Sequence, residues 1–264
     1  MKTAVRLSTL ILVVALMAGC KKGPASQPEP AKEPTPQAVE PAPAPVPTPA
    51  AAVEAPAPAA PAAPVAATET LVAIPLVLPK PMFVGTPQNL EGVENLEKPL
   101  GKARPPFLAP EGAANVALHK PVTSSEPMPI MGELSMIVDG DKEATEGSVV
   151  ELGPFKHWVI IDLEQERDIY AVVVWHYHKT PTVYFDVVVQ VSPDPEFINA
   201  TTIFNNDSDN TLGLGVGTDM NYIETAEGKL IDAKGIRGRY VRLWTQSNNQ
   251  NDYSHYIEVE VYGK

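Results

Sequence analysis

Three short stretches of the chain carry residue types that can do chemistry. Asp139-Gly140-Asp141 sets two carboxylates on either side of a glycine. A hard cation such as Ca²⁺ gathers about six to eight oxygens from such carboxylates and nearby backbone carbonyls, although the Asp-Gly pair is also an ordinary turn signal. Trp175-His176-Tyr177-His178 places two imidazoles two positions apart, so on a strand they leave the same face. There they can hydrogen-bond a ligand, or offer nitrogen to zinc with His157 or His255 as a further donor. The run Gln246-Ser247-Asn248-Asn249-Gln250-Asn251-Asp252-Tyr253 is dense in amides, each both donor and acceptor, and ends on an aromatic ring. Recognition of a sugar needs that combination: polar groups for its hydroxyls and a flat apolar surface for the pyranose. The expected ligand-binding residues are therefore His176, Tyr177, His178, Gln246, Asn248, Asn249 and Tyr253.

The elements that position these residues are strands. Residues 158–162, 169–177, 184–191, 201–204, 240–244 and 256–262 are short runs of Val, Ile, Tyr and Trp bounded by Pro, Gly, Asn or Asp, the pattern of half-buried β-strands. No segment sustains a helical period of apolar residues, so the expectation is an all-β antiparallel sandwich or barrel. Trp175 and Trp244 are expected in its core. Residues 205–210, Asn-Asn-Asp-Ser-Asp-Asn, read as a connecting loop with enough oxygen for a second cation. The glycines of Gly213-Leu-Gly-Val-Gly217 lack the strand-to-helix context of a phosphate cradle. No nucleophile, base and orienter fall at a recognisable motif spacing, so the expectation is a non-catalytic binding protein. The chain has 32 acidic against 20 basic groups, a net charge of −12, which speaks against a nucleic-acid partner. One cysteine in 264 residues excludes an internal disulfide.

The β-rich part also resembles the discoidin, or coagulation factor 5/8 type C, family, which includes the family 32 carbohydrate-binding modules. The resemblance rests on Asn115-Val-Ala-Leu-His-Lys-Pro-Val-Thr-Ser-Ser125, Ile137-Val-Asp-Gly-Asp141, His157-Trp-Val-Ile-Ile-Asp-Leu163, Phe185-Asp-Val-Val-Val-Gln-Val-Ser192, Arg239-Tyr-Val-Arg-Leu243 and Glu258-Val-Glu-Val-Tyr262, in that order. It implies a jelly-roll-like antiparallel β-sandwich over residues 113–264 whose loops at one end bind carbohydrate, a polysaccharide or surface glycan. It also implies a structural Ca²⁺ held by Asp139, Glu258 and carbonyls near Met136 and Asp141. The family's threonine falls at Ala144, which leaves Thr145 beside it as the substitute, so the expected set is Asp139, Asp141, Thr145 and Glu258. The alternative is a structural or adhesive module that grips an envelope or extracellular protein.

The amino-terminal part is of another kind. Lys2 and Arg6 precede an apolar stretch from Leu7 to Met17, too short to span a bilayer and built like a secretory signal. Leu16-Met17-Ala18-Gly19-Cys20 resembles the bacterial lipobox, which makes Cys20 the lipidation site and residues 1–20 the signal peptide. The membrane contact is then through the lipid anchor alone, in the cell envelope, and Lys21 after the cysteine suggests the outer membrane. Residues 21–68 are a Pro/Ala-rich linker without aromatic residues, read as a disordered, extended stalk. Residues 69–112 add Val72, Ile74, Leu76, Phe83 and Phe107 among continued prolines, and are expected to lie as an extended arm on the domain that follows.

Overall fold

The computed structural model describes residues 69–87 and 90–264. The signal segment, Cys20 and the linker up to residue 68 lie outside the described residues. In chain order the strands are β1 (Leu71–Ala73), β2 (Leu108–Pro110), β3 (Ala114–Asn115), β4 (Val122–Ser124), β5 (Val150–Pro154) and β6 (His157–His176). They continue with β7 (Tyr184–Phe185), β8 (Val188–Ser192), β9 (Thr201–Asn205), β10 (Lys229–Thr245), β11 (Ser247–Asn248) and β12 (Tyr253–Gly263). A 3-10 turn at Leu134–Val138 is the one helical segment among the described residues. Every strand pairing is antiparallel, and the protein is an all-β sandwich.

Two long strands, β6 and β10, run through both layers. The first half of β6 pairs with β4 and with the second half of β10, which continues to β8 and β9. The second half of β6 pairs with β12 and with the first half of β10. The corners have a local cause. Asp162 accepts the Glu164 N–H at 2.7 Å and Asp232 accepts the Lys234 N–H at 2.9 Å, the side-chain-closed turn that Asp favours. Glu164 and Lys234 are left at φ of 64° and 56°. The corners also change which residues face inward: Val159, Ile161 and Leu163 before the bend, Val172 and Val174 after it. With Val189, Val191, Val241, Leu243, Val259 and Val261 they fill the space between the layers. Gly238 follows the second corner because a Cβ there would overlap the Val191 side chain.

The outer side of the β6–β12 layer carries a second apolar cluster, and residues 69–112 contribute to it. Ile74 and Ala109 are buried with Ala171, Val173, Trp175 and Ile257, and Leu76 and Phe107 pack at the edge. Burying Ile74 is worth about 1.5–3 kcal/mol. Polar contacts fix the rest of this strap. Arg104 donates from Nη1 to the Gly228 carbonyl at 2.7 Å and from Nη2 to that of Glu227 at 2.8 Å, and Lys229 pairs with Glu97 at 2.7 Å. Trp175 is fully buried as expected and donates to the Ala226 carbonyl at 3.0 Å. Trp244 is not in the core: it is half-exposed on an outer face.

Candidate functional site

The loops between β4 and β5, after β6, and between β11 and β12 converge on a cleft of about 370 Å³. Its polar centre is built by strand register, because His255 on β12 lies directly opposite Glu151 on β5. His255 Nε2 lies 3.1 Å from Glu151 Oε2, and its Nδ1 lies 2.9 Å from the Tyr184 hydroxyl. A carboxylate can only accept, so Nε2 carries the proton and Nδ1 accepts from Tyr184. Burial lowers the imidazole pKa, while Glu151 opposes that, and burial raises the Tyr184 phenol well above its ordinary value. The imidazole is thus a neutral, oriented hydrogen-bonding group beside the Glu151 carboxylate. The Tyr177 ring lies 6.2 Å from that of His255 and supplies an aromatic wall. Thr182, Gln250 and Asn251 add hydroxyl and amide groups, and Lys179 and Glu146 stand exposed on the lining.

Of the residues expected to bind ligand, Tyr177 and Asn248 line the cleft. The two histidines do not present themselves to solvent. His176 is completely buried, its Nδ1 is 2.6 Å from Glu224 Oε1, and its ring stacks on Tyr184 at 4.4 Å. The reason is that the segment around Glu224 and the Tyr184 and Tyr256 rings cover the end of β6. His178 lies beyond the strand, also buried, and donates from Nε2 to the Lys142 carbonyl at 2.9 Å. The pair therefore serves different neighbours. Among the described residues, no group of three or more clustered ligating side chains includes a histidine.

The amides expected to read hydroxyls mostly hold their own loop. Asn248 Nδ2 donates to Asn251 Oδ1 at 2.7 Å and to the Tyr253 carbonyl at 2.8 Å, while its Oδ1 accepts the Gln250 and Asn251 N–H groups. Asn249 Oδ1 accepts the Val183 N–H at 3.0 Å, which joins this loop to the one after β6. Gln246 is half-buried outside the cleft, its N–H bonded to the Phe185 carbonyl at 3.2 Å. Tyr253 is exposed where β12 meets Pro154 of β5. Sequence reading missed His255, Glu151, Tyr184 and Lys179 as cleft residues. His255 carried a signal, standing two places from Tyr253 on the alternating strand, but its partner Glu151 lies in a stretch not read as a strand.

The expected calcium ligands fall into two groups. Glu258 is fully buried on β12, and its Oε2 accepts the Gly140 N–H at 3.1 Å. Its Oε1 is buried without a hydrogen-bond partner, and burial pushes its pKa up to about 9, with the Asp139 charge adding to the rise. A buried carboxylate oxygen left unpaired beside a second carboxylate fits a cation. Asp141 and Thr145 are tied elsewhere: Ser148 donates to Asp141 Oδ2 at 2.6 Å and lies 3.0 Å from the Thr145 hydroxyl. Asp139 and Glu258 thus fit the group, and Asp141 and Thr145 brace the loop.

A separate cluster, Asp186, Asp207 and Asp209, brings three carboxylates within 4.8 Å of one another and could hold a metal ion. Burial, followed by the Asp207 charge, raises Asp186 to about 6. Asp207 is fully satisfied from its own loop by the Thr211 and Leu212 N–H groups.

No family model and no curated relative matches the chain. Among solved structures it is similar to a valine-to-methionine mutant of chitosan-binding module 1 of a chitosanase/glucanase from Paenibacillus sp. IK-5, with 21% identity, a TM-score of 0.41, and coverage of 56% of this chain and 98% of that one. It is also similar to CpGH89CBM32-4 from Clostridium perfringens, solved with GlcNAc-α-1,4-galactose, at 17% identity and a TM-score of 0.43 over 58% of this chain and 96% of that one. A fucose binding module from Streptococcus pneumoniae is 22% identical, with a TM-score of 0.39 over 56% and 96%.

Proposed function

We propose that this is a non-catalytic recognition protein whose cleft beside His255 binds carbohydrate. The observation that carries the reading is the convergence, in one open cleft, of an oriented neutral imidazole, an aromatic wall at Tyr177 and amide and hydroxyl groups that are held in place by hydrogen bonds to one another. Fixed donors and acceptors around an apolar face suit a polyhydroxyl ring. A calcium ion at Asp139 and Glu258 would be structural, closing the loop that forms one side of the cleft. Lipidation at Cys20 would hold the chain in the cell envelope, at the outer membrane, with the linker giving it reach.

The test is binding of the full-length chain to a panel of immobilised polysaccharides and glycans. Selective binding that falls at least tenfold on Tyr177→Ala and on His255→Ala, with unchanged far-UV circular dichroism, supports the cleft. A flat panel from folded protein removes the sugar reading and moves the expected partner to an envelope or extracellular protein.

A further inference from the structure

We propose that the outer face of the sheet formed by β6, β10 and β8 is a second ligand site, for a glycan that carries a carboxylate: a uronic acid residue on an otherwise neutral chain. It is separate from the cleft and does not depend on it.

Strand alternation builds the face. Val159, Ile161, Val241 and Leu243 point into the core, so Trp158, Ile160, Tyr240, Arg242 and Trp244 point outward. In register, Trp244 stands opposite Trp158, and Arg242 lies between Ile160 on one side and Gln190 on the other. The outward side chains on β6 and β10 are half-exposed. Solvated sheet faces usually carry polar side chains, whereas this one presents two indoles and a phenol, with Phe197 folded over its edge.

Arg242 at the centre is held in place without an ion pair. Its guanidinium lies 3.9 Å over the Phe197 ring and 5.3 Å from that of Trp244. Its Nε and Nη2 donate to Gln190 Oε1 at 3.0 and 2.8 Å, and Trp244 Nε1 donates to the same oxygen at 3.4 Å. No hydrogen bond to the described residues uses Nη1, and no carboxylate of the described residues is within ion-pair distance. The contrast along β10 is sharp. Arg239 takes both oxygens of Asp162 at 2.7 Å each, and Arg237 takes Glu166 and Asp168. In a chain with 32 acidic groups, a guanidinium immobilised between rings and given a neutral amide is an oriented fork with its charge unanswered.

Charge complementarity selects the occupant. A planar fork with a free edge matches a carboxylate, and the flanking indole faces match pyranose rings. Its exposed residues lie on β6 and β10, since β8 is buried throughout, and such a patch of roughly 10 Å by roughly 17 Å is far smaller in area than the roughly 800 Å² that a protein partner covers.

The test uses glucuronoxylan, and the same polymer with its carboxyl groups reduced to primary alcohols, titrated into the full-length chain with tryptophan fluorescence and calorimetry as readouts. The expected result is a fluorescence change with glucuronoxylan and at least tenfold weaker binding of the reduced polymer. Arg242→Gln should lose the same factor and erase the preference between polymers, while Arg237→Gln, on the same strand but already paired with Glu166 and Asp168, leaves both unchanged. Equal affinity for the two polymers, an Arg242→Gln variant that binds like the parent, or no binding by folded protein would each overturn the proposal. The polymer comparison needs no variant, so it decides the matter even where a substitution at Arg242 disturbs folding.

Discussion

Glu258 shows how a single residue makes stability depend on pH and, with the calcium site proposed above, on a cation. Its folded pKa of about 9 lies above the unfolded value of about 4.3, so the folded chain holds the proton longer. Stability from this group is therefore complete below about pH 4 and is lost as pH rises toward about 9. In chelator, the melting temperature should fall across that range. Calcium bound as proposed would take the proton's place and should flatten the fall, and Glu258→Gln should remove both effects. Chelator melts that are flat with pH would refute this. The buried His176–Glu224 pair makes a second expectation. Removing one partner strands the other, so His176→Ala should cost about 3–5 kcal/mol, read by urea denaturation, with no direct contact to ligand lost. At this scale the sequence was partly legible. Amide-rich loops and paired histidines announce polar chemistry, but the same atoms can be consumed internally, as Asn248, Asn249 and His176 are. That choice depends on which distant segment lies above them, such as the one carrying Glu224, and no local pattern encodes it.

The elements follow local rules that fail where backbone geometry overrides hydrophobic pattern. Residues 158–162 and 169–177 read as two strands because Glu164 to Asp168 interrupt the apolar run; they are one bent strand whose corner rests on Asp162. The first half of β10 was missed because its Asp232, Lys234 and Arg237 break the β pattern, although Ile231 and Ala233 still reach the core. At Gly238, conformational freedom matters less than clearance from Val191. Gly238→Ala should therefore destabilise the protein by about 1–3 kcal/mol through overpacking, measured in the same denaturation assay. Trp244 was assigned to the core by residue type, yet its place in the alternation of β10 turns it outward with Arg242. Type sets the average, and register sets the individual case.

At the scale of the whole molecule, the antiparallel sandwich was legible in motifs spread along residues 115–262. The cleft was not, since it is assembled from three loops far apart in sequence. The two binding surfaces should differ in their response to salt. A neutral glycan in the cleft should keep its affinity between about 50 and 200 mM salt, while a carboxylate at Arg242 should bind more weakly as screening shortens the field of the guanidinium; equal salt responses would count against that division. The strap has a mechanical consequence. Leu71 pairs with Pro110, and Ala73 with Leu108, so the incoming chain at β1 and the outgoing chain at β2 leave the ribbon at the same end. A pull applied ahead of Glu69 loads those hydrogen bonds one after another, as a zipper, and not all together in shear. The Glu69–Lys264 ion pair and the ribbon open first, and once the Arg104 and Glu97 contacts also yield the chain up to residue 112 pays out, about 140 Å when extended, before full tension reaches the sandwich or the cleft. The strap is a fuse with slack behind it, and the binding surfaces sit on the protected side.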